Sequence, residues 1–385
     1  MSNHNVFPKK ELEQRLLNVR SELVSSNLDG IVITIPENIY YLTELDHLGF
    51  FACHLLVVPR EGDMILVCRA MEKITFENQV KNALFFGHAD HEDPADYIVS
   101  ALSELKLLNS QIGIESKSLF LTSRLAESIK SKTPNVHWQD ASNLVSGLRI
   151  IKSPLEIDFV RKAAKATDAG MLAAINSIKD GASDYEVSAE CSRAMILAGS
   201  EHFAFGPFIR PTSRLGEEHT TWRGEVFKNG DAVFIEIAAN YRKYQSPMGR
   251  LVYVGSAPKN VEKSVKLAID GMKAINNSIK PGAKAGDAYA AWREVGRKAG
   301  LENYERHHCG YLVSIGFPPS WTGGSMVTAL APNSQLELKV GMTFHTHSWF
   351  TNTDCVDYFI SNTSLLTENG CEVLTNQTPE TLIIK

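Results

Sequence analysis

Residues 174–201 read AINSIKDGASDYEVSAECSRAMILAGSE, and residues 274–302 read AINNSIKPGAKAGDAYAAWREVGRKAGLE. The two segments match at a lysine, at the glycine two positions later and at an Ala-Gly pair near the end. Each is followed by a strand-like segment that opens with Lys-x-Gly, KNGDAVFIEIA from Lys228 and KVGMTFHTHSW from Lys339. A helix-and-strand unit that occurs twice predicts two half-domains related by an approximate two-fold axis. We expect a ligand site in the cleft between them.

The chain ahead of this repeat has a different pattern. Short apolar segments alternate with helical segments, which is typical of a layered α/β domain. The segment Ser153-Pro154-Leu155-Glu156 combines a serine N-cap, a proline at the first helical position and the glutamate of a capping box, so a new helix begins there. The sequence therefore predicts an α/β domain over residues 1–152 and an α+β domain over residues 153–385.

The composition and charge exclude several function classes. The 385 residues are 44% hydrophobic and 22% charged, and the net charge is −5. Lysine and arginine are scattered, whereas nucleic-acid binding needs a basic patch or stripe, so we expect no nucleic-acid partner. No apolar run approaches the ~20 residues of a membrane span, and the first residues lack the apolar core of a signal peptide. These features predict a cytoplasmic protein that does not associate with membranes.

A carboxylate interrupts the apolar strand AVFIEIA. Side chains alternate along a strand, so Glu236 lies on the opposite face from Val233, Ile235 and Ile237. Burying an unpaired carboxylate costs several kcal/mol, and Glu236 therefore needs a partner or a ligand. In the second Lys-x-Gly strand, His347 stands at the same distance from the glycine. If a two-fold axis relates the halves, Glu236 and His347 face each other across the cleft.

A pair of histidines marks the second strand. His345 and His347 are two positions apart, so they point to the same side of the strand. Imidazole is a common metal ligand, and the pair could bind a metal. The other interpretation is a hydrogen-bonded pair that lines a polar pocket. The small number of nearby carboxylates favours the second interpretation.

Further candidates flank the two strands. His219 lies in EEHTTW shortly before the first strand, with Trp222 close behind it. Tyr244 and Arg250 lie on the segment that returns from Glu236, where a hairpin would bring them back toward the carboxylate. For Arg250 the alternative is a buried structural salt bridge, and for Tyr244 it is packing.

These segments resemble the creatinase and prolidase superfamily, which has the pita-bread fold, and the resemblance covers nearly the whole chain. The first part is similar to the creatinase N-terminal domain over IYYLTELDHLGFFACHLLVVP. The second part is similar in order and spacing to the ectoine-hydrolase-like and creatinase-like branch, through HTTW, GDAVFIEIA, KYQSPMGR, GYLVSIGFPPSW, GMTFH and TENGCEVLT. The resemblance implies a creatinase-type N-terminal domain followed by a pita-bread catalytic domain.

Most metal ligands of the family are replaced in this chain. Metal-dependent members hold two ions with two aspartates, one histidine and two glutamates. By motif position these correspond here to Glu236, Pro247, Tyr311, His347 and Asn362. A two-metal hydrolase clamps its ions with shared carboxylate ligands. We therefore expect no metal and no cofactor, and a metal-dependent Xaa-Pro peptidase is not the leading hypothesis.

Metal-free relatives hydrolyse C–N bonds in small guanidino or cyclic amidine compounds, and the resemblance implies the same class of small-molecule substrate here. His219 matches the family's proton-transferring histidine, a role worth ~10²–10⁴ in rate. Glu236 would hold an amidinium or guanidinium cation or attack it covalently. Tyr244 and His347 would complete the catalytic wall. Substrate contacts would come from Trp222, His308, Tyr311, His345, Asn362 and Arg250.

The family also implies an anchor and a partner. Arg210 and Arg214, which precede His219, are candidates to hold a substrate carboxylate. In the family the partner subunit's N-terminal domain helps to close the site, so the resemblance implies a homodimer. Phe50, Phe51 and His54 are the candidates to act in trans, and core packing is their alternative role.

Two other functions stay open at this point. One is a metal-dependent peptidase or lyase that uses Glu236, His345 and His347 in a rearranged site. The other is a catalytically silent binding protein that keeps the cleft as a recognition surface. The sequence does not name the substrate, and it does not decide whether water or Glu236 attacks.

Overall fold

Two compact units make up the chain, Met1–Arg149 and Ile150–Lys385. The structure is a computed structural model, and it describes residues 6–323, 327–351, 353 and 357–385. Each unit is built on its own sheet and encloses its own apolar core.

Helices and strands alternate in the first unit: α1 (Lys9–Ser25), β1 (Gly30–Ile33), α2 (Pro36–Thr43), β2 (Leu55–Pro59), β3 (Met64–Arg69), α3 (Lys73–Gln79), β4 (Ala83–His88), α4 (Pro94–Glu104), β5 (Gln111–Ile114), α5 (Ser123–Lys132), β6 (His137–Asp140) and α6 (Leu144–Arg149). The strands form one mixed sheet in the order β4-β3-β2-β1-β5-β6. Strand β1 pairs antiparallel with β2 and parallel with β5. The apolar side chains of α4 pack on this sheet, which confirms an α/β first domain.

The second unit contains α7 (Pro154–Ser177), α8 (Asp184–Leu197), β7 (Phe208–Arg210), β8 (Ala232–Tyr241), β9 (Tyr244–Tyr253), α9 (Val261–Ser278), α10 (Ala285–Lys298), β10 (Gly310–Leu312), β11 (Thr343–Phe350), β12 (Tyr358–Thr367) and β13 (Gly370–Val373). Its sheet has the order β10-β11-β12-β9-β8-β7, and β13 pairs with β12. Neighbouring strands are antiparallel throughout this path.

The sequence repeat corresponds to a structural repeat. The helix pair α7 and α8 precedes β8 and β9, and the helix pair α9 and α10 precedes β11 and β12. Gly181 and Gly282 occupy matching turns with φ of 82° and 83°, in the left-handed region that favours glycine. An isolated β-bridge also recurs in the two halves, Ser183 with Val226 and Lys284 with Glu337. The predicted pseudo-two-fold pita-bread architecture is therefore confirmed.

The capping box at the start of α7 forms as the sequence predicts. The Ser153 hydroxyl accepts a hydrogen bond from the Glu156 N–H at 3.3 Å, and the Glu156 carboxylate accepts one from the Ser153 N–H at 2.8 Å. Pro154 occupies the first helical position, where its missing N–H costs no hydrogen bond. These contacts fix the point at which the second unit's first helix begins.

The two faces of β8 have different environments. Val233, Ile235 and Ile237 pack in the apolar cluster with the residues of α7 and α8. Phe234 and Glu236 lie on the other face, where Phe234 stacks on Phe359 of β12. The helices thus cover one side of the sheet and leave the Glu236 side for a site. Among the described residues, no helix combines the length and the apolarity needed to cross a membrane.

Candidate active site

The centre of the site is a carboxylate facing two histidines. Glu236 comes from β8, whereas His345 and His347 come from β11, and two strands lie between these in the sheet. A potential ligand atom from each of the three side chains lies within 4.8 Å of the others. His345 Nε2 is 4.0 Å from Glu236 Oε1, and the two imidazole centroids are 4.0 Å apart. The sheet must therefore curve around these side chains, and Glu236 and His347 meet as the repeat predicts.

A chain of hydrogen bonds holds His345 in place. Trp321 Nε1–H donates to the Tyr311 hydroxyl at 2.8 Å, and that hydroxyl lies 2.9 Å from His345 Nδ1. His345 Nε2 lies 2.8 Å from Ser361 Oγ. Because indole N–H can only donate, we assign the phenolic proton of Tyr311 to His345 Nδ1, which places the imidazole proton on Nε2. His345 is thus a neutral side chain with both nitrogens engaged.

Burial dominates the electrostatics of the site. It raises the pKa of Glu236 to about 7, and the nearby Arg210 partly opposes that rise. Burial also holds the pKa of His345 and of His347 well below the ordinary histidine value, so both imidazoles are neutral. The same effect raises the pKa of the Tyr311 phenol well above its ordinary value. The site therefore carries its negative charge on Glu236 when that residue ionises.

Several polar groups of the site have no hydrogen-bond partner among the described residues. No group among the described residues donates a hydrogen bond to the Glu236 carboxylate. His347 Nε2 and His308 Nδ1 are likewise buried with no hydrogen-bond partner in the part of the chain that the structure describes, and the two rings lie 5.7 Å apart between centroids. Buried polar groups in native proteins are nearly always satisfied. These atoms therefore mark where a ligand or ordered water binds.

An aromatic layer forms the floor of the site. The rings of Trp349 and Phe359 are 4.3 Å apart, and those of Phe234 and Phe359 are 4.9 Å apart, between centroids. Gly249 lies opposite Glu236, and a Cβ there would stand 2.2 Å from Phe359 Cε1. A side chain at Gly249 would therefore displace the floor beneath Glu236.

Arginines lie over this aromatic floor. The Arg210 guanidinium carbon is 4.1 Å from the Phe234 centroid, and that of Arg306 is 4.3 Å from the Trp349 centroid. Arg306 Nη2 also pairs with Glu218 Oε1 at 3.0 Å. Sequence reasoning did not single out Arg306 or Glu218, although they adjoin His307 and His219. Their spacing matches no metal-site or catalytic-triad motif, so the sequence alone does not identify them as residues of the site.

His219 has an unusual backbone at the edge of the site. Its φ is 53°, in the left-handed region that costs a non-glycine residue free energy. Its ring lies 6.5 Å from the Phe205 ring and 6.0 Å from the Phe208 ring, between centroids. Phe208 is the β7 residue directly opposite Glu236. Nearby, the Trp222 indole packs against Gly206.

Tyr244 does not join the site. It lies at the hairpin turn opposite Tyr241, whereas Gly249 is the β9 residue opposite Glu236. At ~3.4 Å per residue this separates Tyr244 from that position by roughly 17 Å along the strand. Its hydroxyl donates to Glu156 Oε1 at 2.6 Å. The prediction that the hairpin returns Tyr244 to the carboxylate is therefore wrong, and Tyr244 helps to tie α7 to the sheet.

Arg250 lies on the opposite face of the sheet from Glu236. It pairs with Ile235, whose side chain packs against the helices. The guanidinium is fully buried, donates to the Ser361 carbonyl at 2.8 Å and to Asn362 Oδ1 at 3.0 Å, and has its pKa lowered by burial to about 10. Arg250 thus has a structural role through hydrogen bonds to carbonyl and amide oxygens rather than through the salt bridge of its alternative interpretation, and the substrate contact predicted for it is wrong.

Ser361, not Asn362, faces the site from β12. Ser361 pairs with His347, whereas Asn362 pairs with Thr346 and donates from Nδ2 to Glu380 Oε1 at 2.6 Å. A shift of one residue moves a side chain to the other face of a sheet. The assignment of Asn362 to the substrate pocket is therefore wrong by one position.

Phe50 and Phe51 differ in exposure within the first unit. Phe50 is buried and packs edge-on against Phe120 with centroids 5.6 Å apart. Phe51 is 78% exposed, and Leu119 beside the same cavity is 72% exposed. This cavity has a volume of about 650 Å³ and an apolar and acidic lining. Core packing thus accounts for Phe50 and leaves Phe51 free to contact another molecule.

Two models of known protein families match the chain. The model of the creatinase/prolidase N-terminal domain matches residues 15–151, and the model of metallopeptidase family M24 matches residues 158–368. The chain belongs to metallopeptidase family M24. The superfamily resemblance of the sequence motifs is thereby confirmed, and it places the chain in a family of hydrolases.

Its relatives include enzymes with different substrates. The ectoine hydrolase of Halomonas elongata is 28% identical over 398 aligned residues, which cover 98% of both chains. The Xaa-Pro dipeptidase of Pyrococcus furiosus is 25% identical, with 96% of this chain and all of the relative covered. Among solved structures, the Xaa-Pro dipeptidase from Bacillus anthracis superposes with a TM-score of 0.84 at 22% identity, covering 97% of this chain and 100% of that one. The structural likeness supports the fold alone.

The residues of the site do not fit the two-ion centre of metal-dependent members. Pro247 offers no side-chain donor atom, the Tyr311 hydroxyl is held between Trp321 and His345, and a serine faces the site at position 361. Carboxylates that could bridge two ions are missing from these positions. A single ion has a candidate ligand set in Glu236, His345 and His347. Binding it through His345 would break one of that residue's two hydrogen bonds.

Proposed function

We propose that the chain is a metal-independent hydrolase of a C–N bond in a small cationic or zwitterionic compound. A cyclic amidine such as ectoine and a guanidino acid such as creatine represent the substrate class. The observation that carries the proposal is the Glu236 carboxylate, which is buried, accepts no hydrogen bond from the described residues and lies within 4.8 Å of potential ligand atoms of His345 and His347. Charge-assisted hydrogen bonds from an amidinium or guanidinium would satisfy both its charge and its lone pairs.

In this proposal each group has a defined task. Glu236 binds the cationic N–H groups and positions the carbon that water attacks. His219 takes the proton that the attacking water releases and delivers it to the nitrogen that leaves as the C–N bond breaks. His347 and His308 complete the polar wall with neutral imidazoles, while Tyr311 and Trp321 keep His345 in position. The similarity to ectoine hydrolase over the whole chain supports this class of reaction.

Proton NMR of the purified protein with single substrates tests the proposal. Ectoine, 5-hydroxyectoine, creatine and a prolyl dipeptide are each incubated with and without a strong chelator. We expect loss of the ectoine or creatine signals at the same rate in both conditions, because no step uses a metal. Cleavage of the dipeptide alone, stopped by the chelator, would contradict both the substrate class and the metal independence.

The second candidate is a metal-dependent hydrolase that holds one ion with Glu236, His345 and His347. The closeness of their ligand atoms, within 4.8 Å, favours it. The same experiment separates the two candidates, since this one requires stoichiometric metal after dialysis and activity that the chelator removes. Binding of a substrate without product would instead indicate a recognition protein.

We further propose a homodimer in which the first unit of one protomer completes the site of its partner. The exposed Phe51 and Leu119 form an apolar surface suited to such a contact. Replacing Phe51 by serine is expected to lower kcat/KM ~10-fold, the effect of truncating a central interface aromatic. Light scattering reports the oligomeric state, and Leu197→Ser, which removes an equally exposed leucine, serves as the control.

Mixing two impaired variants distinguishes a contribution in trans from a local effect. A dimer of one Phe51→Ser chain and one His219→Ala chain contains one site with both residues intact. Random reassociation is expected to restore about a quarter of the wild-type activity, because half of the dimers are mixed and each has one good site. A mixture no more active than its components would overturn the contribution in trans.

A further inference from the structure

Arg210 is a buried cation whose guanidinium has unsatisfied hydrogen-bond donors. Its side chain is at the end of β7 and is 1% exposed, and its buried Nε and Nη1 atoms have no hydrogen-bond partner among the residues that the structure describes. The guanidinium rests on the Phe234 ring, with 4.1 Å between its carbon and the ring centroid. A buried charge that lacks hydrogen bonds costs several kcal/mol. Such a cost is unusual unless a ligand supplies the missing acceptors.

Neighbouring arginines are engaged, which sets Arg210 apart. Arg214 donates to Glu217 at 2.9 Å, to Glu225 at 3.0 Å and to the Thr221 carbonyl at 2.8 Å. Arg306 is paired with Glu218 at 3.0 Å. Of the two arginines that the sequence offers as carboxylate anchors, Arg214 is thus occupied within the protein. The N–H groups of Arg210 are therefore available to donate hydrogen bonds to a ligand.

The strand register sets the spacing between Arg210 and Glu236. Arg210 pairs with Phe234, and Phe208 pairs with Glu236, so Arg210 and Glu236 are diagonal neighbours on one face. Side chains in this relation start ~7–8 Å apart. No ion pair within 4.0 Å joins the two among the described residues. Arg210 and Glu236 thus place one cation and one anion on the same face of the sheet without a direct ion pair between them.

We propose that Arg210 binds a carboxylate of the substrate while Glu236 binds its N–H-bearing cationic end. The guanidinium offers parallel N–H donors that match the two oxygens of a carboxylate. The substrate is then a compact zwitterion whose acid and amidine or guanidine groups are a few atoms apart. Cations without an acid group and neutral amides are poor substrates. The identity of the reaction rests on the proposed function, but the carboxylate anchor does not.

Paired ligands that differ only in the acid group test this anchor. Ectoine and creatine are compared with their carboxamide analogues in wild type, Arg210→Lys and Arg210→Gln. We expect Arg210→Gln to raise KM for the acids about 10–100-fold, the worth of hydrogen bonds between charged groups, with a smaller change in kcat. The carboxamides should bind weakly to wild type, and the Arg210→Gln substitution should not weaken their binding further. The KM of Arg210→Lys for the acids should lie between those of wild type and Arg210→Gln. Arg297→Gln, on the exposed face of α10, is the control.

Two readouts keep this test separate from the hydrolase proposal. Ligand-observed NMR measures binding of the same four compounds without turnover, so selective loss of acid binding in Arg210→Gln supports the anchor even if no product forms. Equal loss for acids and carboxamides, or no loss, overturns the anchor even if hydrolysis occurs. The melting temperature distinguishes a structural role, because removing an unpaired buried charge should not lower it. A marked fall in melting temperature would also count against the proposal.

Discussion

Replacing His219 by alanine is expected to reduce kcat about 10²–10⁴-fold, the usual worth of a positioned general acid or base. Its backbone lies in the left-handed region, with φ of 53°, which costs a non-glycine residue free energy. Its ring is near Phe208, the residue opposite Glu236. Steady-state kinetics with the substrate found by NMR measure the effect.

The histidine experiment needs a control for folding and one for chemistry. His137→Ala removes an exposed histidine on β6 of the first unit, and it should leave kcat unchanged. Circular dichroism should show the same helix content for both variants and wild type. Added imidazole should restore part of the activity of His219→Ala, because a small base can enter the space left by the ring. Wild-type activity in His219→Ala would contradict the assigned proton transfer.

Counting along the repeat was enough to predict the centre of the site. Glu236 and His347 stand at equal distances from the glycines of the two Lys-x-Gly segments. Strand alternation then assigns both to the cleft face, and the two-fold relation brings them together. Both steps use only periodicity and symmetry, which are properties that a sequence carries directly. The proximity of the ligand atoms agrees with that reasoning.

The strand register and the hydrogen-bond partners of the site residues could not be predicted from the sequence repeat. One residue of register separates Ser361 from Asn362, and the sequence around them contains polar side chains at both positions. A hairpin turn also decides that Tyr244 lies far from Glu236 although the two follow closely in the chain. Likewise, the sequence shows several arginines but not which of them pairs with a carboxylate. Such distinctions depend on contacts between segments distant in the chain.

Replacing Glu236 by glutamine is expected to lower kcat/KM about 10²–10³-fold, comparable to the loss of one preorganised electrostatic contact with a developing charge. Glutamine keeps the size of the side chain but cannot offer a negative charge to an amidinium. Burial raises the pKa of Glu236 to about 7. Because the ionised carboxylate binds the cation, wild-type kcat/KM should fall as the pH drops below about 7, and the variant should lose this acid limb. Glu190→Gln on the exposed surface of α8 should retain it.

The same substitution should make the folded protein more stable at alkaline pH. A carboxyl group whose folded pKa is raised from 4.5 to about 7 binds its proton more tightly in the folded state. Stability is therefore complete below the unfolded pKa and declines as pH rises through 7, by about 3 kcal/mol in total. Glu236→Gln removes this decline, so its melting temperature should be close to that of wild type near pH 5 and higher at pH 8. Equal melting temperatures at both pH values, together with an unchanged acid limb, would show that Glu236 titrates as an ordinary solvated glutamate and would remove it from the site.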